Sequence, residues 1–193
     1  MILLGMDLAT STGFAYARPH LTPICGSVRA PVTGGDLGAF GAFYWRFLSN
    51  LIAELSSKLG EHENMVVIYE APILPRQTRL ATTRKLQALG VILETVCALQ
   101  AADTGKLIEV VETNLKSIKK ELAGTGGASK AMMVHAAKRA GISLPKEGEE
   151  DAADAFGAFL MGVRHYATPT EAAYWDRRIW GGQSATGLRE LGL

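Results

Sequence analysis

Cysteine is nearly missing: Cys25 and Cys97 are the only two among 193 residues. Two thiols in apolar surroundings build neither a disulfide framework nor a zinc site, so a reducing compartment, the cytoplasm, is the expected setting. Net charge is almost missing too, at +1, and by itself names no partner. No uninterrupted apolar run reads as long enough to span a bilayer, so no membrane role is expected. The apolar opening, residues 1–6, is short, has no basic leader and meets Asp7 at once, which is unlike a secretory signal. Internal repeats and low-complexity tracts are lacking. These absences leave an ordinary globular chain, and 48% hydrophobic with 20% charged residues fits that class. The length suits a single domain with a substantial core.

Hydrophobic patterning predicts an α/β layout with a mixed five-stranded sheet flanked by helices. Residues 2–7 read as a strand. Thr10-Ser11-Thr12-Gly13 is turn-rich, and Phe14-Ala15-Tyr16-Ala17 resumes as a second strand. A third strand is expected within residues 24–30. Apolar residues at helical spacing predict a helix over residues 37–59, stopped by Gly60. Met65 to Tyr69 is a continuous apolar run, the mark of a buried parallel strand. A long helix is expected over residues 81–101 and a fifth strand over residues 107–111. Shorter helices follow at residues 114–122 and 129–140, the second capped by Ser129. Residues 149–166 read as the last core helix. The division expected is one domain over residues 1–167 and a tail over residues 168–193, poor in aliphatics but holding Tyr174, Trp175 and Trp180.

Four carboxylates stand out. Asp7 and Glu70 end apolar strands, where an unpartnered carboxylate is costly to desolvate. Asp151 and Asp154 are three apart on a helix, so both point the same way. Bound divalent cations satisfy such a set. Two Mg²⁺ or Mn²⁺ ions held by Asp7, Glu70, Asp151 and Asp154 could activate water and neutralise a phosphodiester transition state. Asp7, on the central strand, is the natural bridge between them.

Positive charge is clustered although the total is near zero. Residues 76–85 hold Arg76, Arg79, Arg84 and Lys85 with no acid, and residues 116–139 hold Lys116, Lys119, Lys120, Lys130, Lys138 and Arg139 against Glu121 alone. Such segments suit a phosphate backbone or simply solvate helix faces. Arg76, Arg79, Arg84, Lys85, Lys116 and Lys120 are the candidate DNA contacts.

Four motifs resemble those of the RuvC family of Holliday-junction resolvases, within the ribonuclease H-like superfamily. They are Gly5-Met6-Asp7-Leu8-Ala9-Thr10-Ser11-Thr12-Gly13-Phe14-Ala15, Val67-Ile68-Tyr69-Glu70, the lysine-bearing segment from Ser117 to Lys130, and Asp151-Ala152-Ala153-Asp154-Ala155-Phe156. The resemblance implies homodimers that hold four-way DNA junctions and nick two strands symmetrically with Mg²⁺ or Mn²⁺, leaving 5′-phosphate and 3′-hydroxyl ends. It places Asp7, Glu70, Asp151 and Asp154 on the catalytic acids and Lys119 and Lys130 beside the scissile phosphate. His135 reads as a partly buried helix residue. Where the family often presents an aromatic wedge after its second acid, this chain has Ala71-Pro72-Ile73-Leu74. The divergence is similar to that of bacteriophage RuvC-like nucleases, which act on several branched structures.

Two other classes compete. The first motif is similar to the phosphate hairpin of actin-like and sugar-kinase ATPases, but 193 residues leave no room for the second such domain. A module that binds branched DNA without cutting is the other, and four acids beside a phosphate backbone oppose it unless metal is bound.

Overall fold

The structure, a computed structural model, describes residues 1–31, 36–70 and 80–181. Strands β1 (Ile2–Asp7), β2 (Ser11–Ala17), β3 (Ile24–Arg29), β4 (Met65–Glu70) and β5 (Ile108–Thr113) form one sheet in the order β3-β2-β1-β4-β5. The β1–β2 and β2–β3 pairs are antiparallel, while β4 lies parallel to both β1 and β5. Helices α1 (Leu37–Ser57), α2 (Leu80–Thr104), α3 (Leu115–Ala123), α4 (Lys130–Arg139), α5 (Glu149–Tyr166) and α6 (Pro169–Trp180) cover it. The expected α/β class and mixed five-stranded sheet are present.

Strand alternation sorts the core into two layers. Leu3 of β1 and Val66 and Ile68 of β4 join the cluster built on α3, α4, α5 and α6. Ile2, Leu4 and Met6 of β1, with Met65, Val67 and Tyr69 of β4, join the cluster built on α1 and α2. Burial on both faces is why these strands are continuously apolar. The same parity places Asp7 and Glu70 on the α5 face, since Asp7 follows Leu3 and Gly5 at steps of two and Glu70 follows Val66 and Ile68.

Helix α5 lies against the sheet at backbone distance. A Cβ added to Gly5 would stand 2.2 Å from the Phe159 amide nitrogen and 2.3 Å from the Ala155 carbonyl oxygen. Only glycine permits that approach.

The structure corrects several expectations. Ser11, Thr12 and Gly13 belong to β2, not to the turn, which is confined to residues 8–10. Thr12 is fully buried and its hydroxyl donates to the Ala9 carbonyl at 2.8 Å, so β-branching and burial outweigh the turn propensity of its neighbours. Residues 169–180 form α6, opened by a capping box between Thr168 and Glu171 with Pro169 in the first turn. Trp175 is 2% exposed, packs edge-on to Phe156 and Phe159, and donates from Nε1 to the Pro19 carbonyl at 2.6 Å. Arg164 of α5 binds Glu121 of α3 at 2.8 Å and Asp176 of α6 at 2.7 Å, joining three helices.

By length and composition alone α2 is apolar enough to cross a membrane over Thr82–Thr104, but Arg84, Lys85, Glu94 and Asp103 interrupt it, so it is not the uninterrupted apolar run that the sequence was expected to lack. Its inner face, Leu89, Leu93, Val96 and Cys97, belongs to the core shared with α1. Val91 and Leu99 face outward and are exposed.

Candidate metal and nucleic-acid site

Asp7 and Glu70 close adjacent parallel strands, one residue beyond the Met6–Tyr69 register pair. Ligands gather at such carboxyl ends in open α/β sheets. The α5 acids reach the same place through Gly13, which pairs with Asp7 across β1 and β2. A Cβ added to Gly13 would meet the Asp151 carbonyl, so the first turn of α5 lies against the β2 residue that pairs with Asp7.

The four acids sense one another. Asp7 is held well above the usual carboxylate range, first by burial, then by repulsion from Glu70, Asp154 and Asp151. Burial, with repulsion from Asp154, raises Glu70 to about 7 against partial relief from Lys119 and Lys130. Burial also raises Asp154 to about 6; Lys130 and Lys119 oppose the shift, while Asp151 and Glu150 add to it. Asp154 is 5% exposed, and its Oδ1 is buried with no hydrogen-bond partner. Ordinary structural carboxylates are satisfied by donors, so a buried, unpartnered oxygen on an acid that is repelled by its acidic neighbours is suited to a cation.

A hard divalent cation fits this donor set, because Mg²⁺ and Mn²⁺ take carboxylate oxygens and keep water on their remaining positions. Among the described residues no three acidic, imidazole or thiol groups are already gathered into a ready metal cage.

The lysines frame the acids. The Lys130 ammonium, at the start of α4, lies 3.3 Å from Glu150 and 3.9 Å from Asp151. Burial works against its charge, but the bond to Glu150 and the fields of Asp151, Glu150 and Asp154 win and raise its pKa. Lys119 on α3 is partly buried and acts on both Glu70 and Asp154. Asn114 caps α3 and Ser129 caps α4, which fixes where both lysines emerge.

No family model and no curated sequence matches the chain. Solved structures do. The chain is 18% identical to Thermus thermophilus RuvC with a TM-score of 0.50, covering 85% of this chain and 96% of that one. It is 16% identical to T. thermophilus RuvC in complex with Holliday junction substrate, TM-score 0.54, over 86% and 95% of the two chains. It is 14% identical to the yeast mitochondrial Holliday junction resolvase, TM-score 0.54, over 99% and 84%. The fold is that of the RuvC resolvases.

On this RuvC-type fold the basic residues separate. Lys116 and Lys120 are exposed on α3 and make no ion pair among the described residues. Arg84 is exposed near the start of α2. Lys85 is 9% exposed, with its ammonium 5.1 Å over the Phe40 ring, inside the α1–α2 layer. Lys138 pairs with Glu149, and Arg139 donates to the Ile179 carbonyl at 3.2 Å. Arg76, Arg79 and Ala71-Pro72-Ile73-Leu74 lie outside the described residues. His135 is exposed rather than partly buried, beside Met132 and Arg139 in a shallow groove of about 290 Å³ on α4.

Three polar residues near the acids were given no role by the sequence, although Ser11 and Tyr69 lie inside the quoted motifs. Ser11 donates to Asp151 Oδ2 at 2.6 Å. The fully buried Tyr44 donates to the Thr10 carbonyl at 2.9 Å, tying the turn after Asp7 to α1. Tyr69, next to Glu70, has its hydroxyl 3.0 Å from both Glu94 of α2 and Glu112 of β5.

Proposed function

We propose that this chain is a divalent-metal-dependent endonuclease that resolves four-way DNA junctions by paired symmetric nicks, leaving 5′-phosphate and 3′-hydroxyl ends. The observation that supports the reading is that Asp7 and Glu70 end adjacent strands while the first turn of α5, which bears Asp151 and Asp154, lies against β2 beside them, with Asp154 Oδ1 buried and unpartnered. Likeness to RuvC bound to a Holliday junction supports the substrate class.

Asp7, Glu70, Asp151 and Asp154 would hold two Mg²⁺ or Mn²⁺ ions. Bound there, the ions supply an activated water, charge neutralisation and a stabilised leaving oxygen. Lys119 and Lys130 place positive charge where negative charge develops on the phosphate. Exposed Lys116, Lys120 and Arg84 are suited to the phosphate backbone, with Arg76 and Arg79 as further candidates from the same basic stretch. Two nicks need two sites, and the exposed Val91 and Leu99 of α2 offer an apolar surface for a homodimer. Sedimentation that finds only monomer during symmetric cutting would remove the dimer. A cytoplasmic setting goes with the two free thiols.

A second reading, a broader debranching nuclease, is favoured by the absence of any aromatic in Ala71-Pro72-Ile73-Leu74. Cleavage of a labelled four-way junction beside a flap, a Y-fork and a duplex, in Mg²⁺, Mn²⁺ and EDTA, tests both. Paired nicks confined to the junction are expected. Cutting of every branched form would favour the second reading. Binding in EDTA with no cutting in either metal would overturn both in favour of a non-cleaving binding module.

A further inference from the structure

The first turn of α5 is held from an unusual direction. Its N-cap is Gly148, with φ at 70° and no side-chain capping bond. Asp151 is the third residue of the helix, where a carboxylate ordinarily bonds back to its own helix N-terminus. Here it turns to the sheet and accepts from the Ser11 hydroxyl through Oδ2 at 2.6 Å. Its other oxygen, Oδ1, faces Lys130 at 3.9 Å. The two oxygens are thus distinguished by strand β2.

The donor has support. Ser11 Oγ lies 3.3 Å from Ser27 Oγ on β3. A hydroxyl has one proton, and that of Ser11 goes to Asp151, so Ser27 must donate to Ser11. The chain of bonds runs from Ser27 to Ser11 to Asp151, linking β3, β2 and α5. Gly13 pairs with Ser27 across the sheet, so the stretch of β2 that seats the α5 backbone is flanked by this relay.

We propose that Ser11, oriented by Ser27, is a positioning residue that fixes Asp151 with Oδ2 engaged and Oδ1 presented as a single-oxygen ligand for a divalent cation. The proposal rests on the nuclease reading above and adds to it two residues that touch neither ion nor substrate. A ligating carboxylate left to rotate would offer either or both oxygens and lose ordering entropy on binding. Hydrogen-bond partners of metal ligands typically matter by about 10–100-fold in metal affinity.

The test is Mn²⁺ binding by calorimetry and by electron spin resonance, without DNA, on wild type, Ser11→Ala, Ser11→Thr and Ser27→Ala, with circular dichroism as the folding control. Ser11→Ala is expected to weaken Mn²⁺ binding by roughly 10–100-fold. Ser11→Thr keeps the hydroxyl and a residue suited to a strand, so it should bind within a few-fold of wild type. Ser27→Ala should lose roughly a few-fold, since Asp151 keeps its direct donor; it carries the test if Ser11→Ala does not fold. A folded Ser11→Ala protein with wild-type affinity and an unchanged Mn²⁺ spectrum would overturn the proposal, as would wild-type affinity in Ser27→Ala when Ser11→Ala is unfolded. Absence of Mn²⁺ binding by wild type would instead remove the nuclease reading itself, and this inference with it.

Discussion

A Cβ placed on Gly13 would lie 1.9 Å from the backbone carbonyl oxygen of Asp151. The contact is backbone to backbone, so no rotamer change relieves it. Gly13→Ala must push the first turn of α5 off the sheet. We expect a loss of about 3 kcal/mol or more, from overpacking at a site that cannot yield. Activity should fall further than stability, because a displacement of about 1 Å at a catalytic group costs roughly 100-fold. Denaturant unfolding alongside junction cleavage checks this, and an alanine variant of native stability would contradict the close approach.

Removing one acid should stop chemistry and spare binding. Asp7→Asn or Asp154→Asn takes away a ligand charge and also part of the repulsion between site and phosphate backbone. Cleavage should drop by roughly a thousandfold or more, about 4 kcal/mol of transition-state stabilisation. Affinity for a four-way junction in gel-shift should hold or improve. Full cleavage in either variant would sink the assignment.

The acids also set a pH signature for stability without metal. Glu70 is raised from 4.5 to about 7, and Asp154 from 3.8 to about 6. A raised carboxyl pKa means the folded state binds the proton more tightly than the unfolded chain. Stability from these groups is therefore fully present below their unfolded values and is lost as pH climbs to about 7. The melting temperature in EDTA should fall between pH 5 and pH 7.5. Millimolar Mg²⁺ or Mn²⁺ should flatten that slope, because ions bind the folded, ionised site. A melting temperature flat across this range in EDTA would argue that the acids are not so confined.

Lys130 offers a charge test. Its ammonium is 54% exposed and engages Glu150 and Asp151 at the mouth of the site. Lys130→Met should leave stability within about 1 kcal/mol, the usual scale for exposed pairs. The rate at saturating DNA should fall by roughly 100-fold if the charge faces the developing phosphate charge. Loss confined to DNA affinity, with the maximal rate intact, would assign Lys130 to backbone contact alone.

The strands and the last core helix were legible because burial on two faces writes itself as an apolar run. Met65 to Tyr69 is unbroken, and the acid that ends it, Glu70, stands out against it. Asp151 and Asp154 announced a shared face by spacing alone. Helix α6 was not read, since it buries through aromatics: Trp175 does the work of several aliphatics, and an aliphatic count misses it. A signal was present, since Thr168-Pro169-Thr170-Glu171 is a capping box with proline in the first turn. Ser11 was read as turn because serine is common in turns, and nothing local says that Asp151, 140 residues away, will accept its proton. Lys85 looked like one more cation of a basic stretch; that it faces Phe40 depends on how α2 rotates against α1.

Helix α5 carries Asp151 and Asp154 at one end and, about one and a half turns on, the rings of Phe156 and Phe159 that pack against Trp175. Trp45 is 42% exposed, and Trp180 lies beside Gly124 at the end of α3. The dry indole of Trp175 should emit well to the blue of the solvated one of Trp45. Its fluorescence is therefore a built-in optical gauge of whether α5 is seated on the sheet, readable without DNA, metal or turnover.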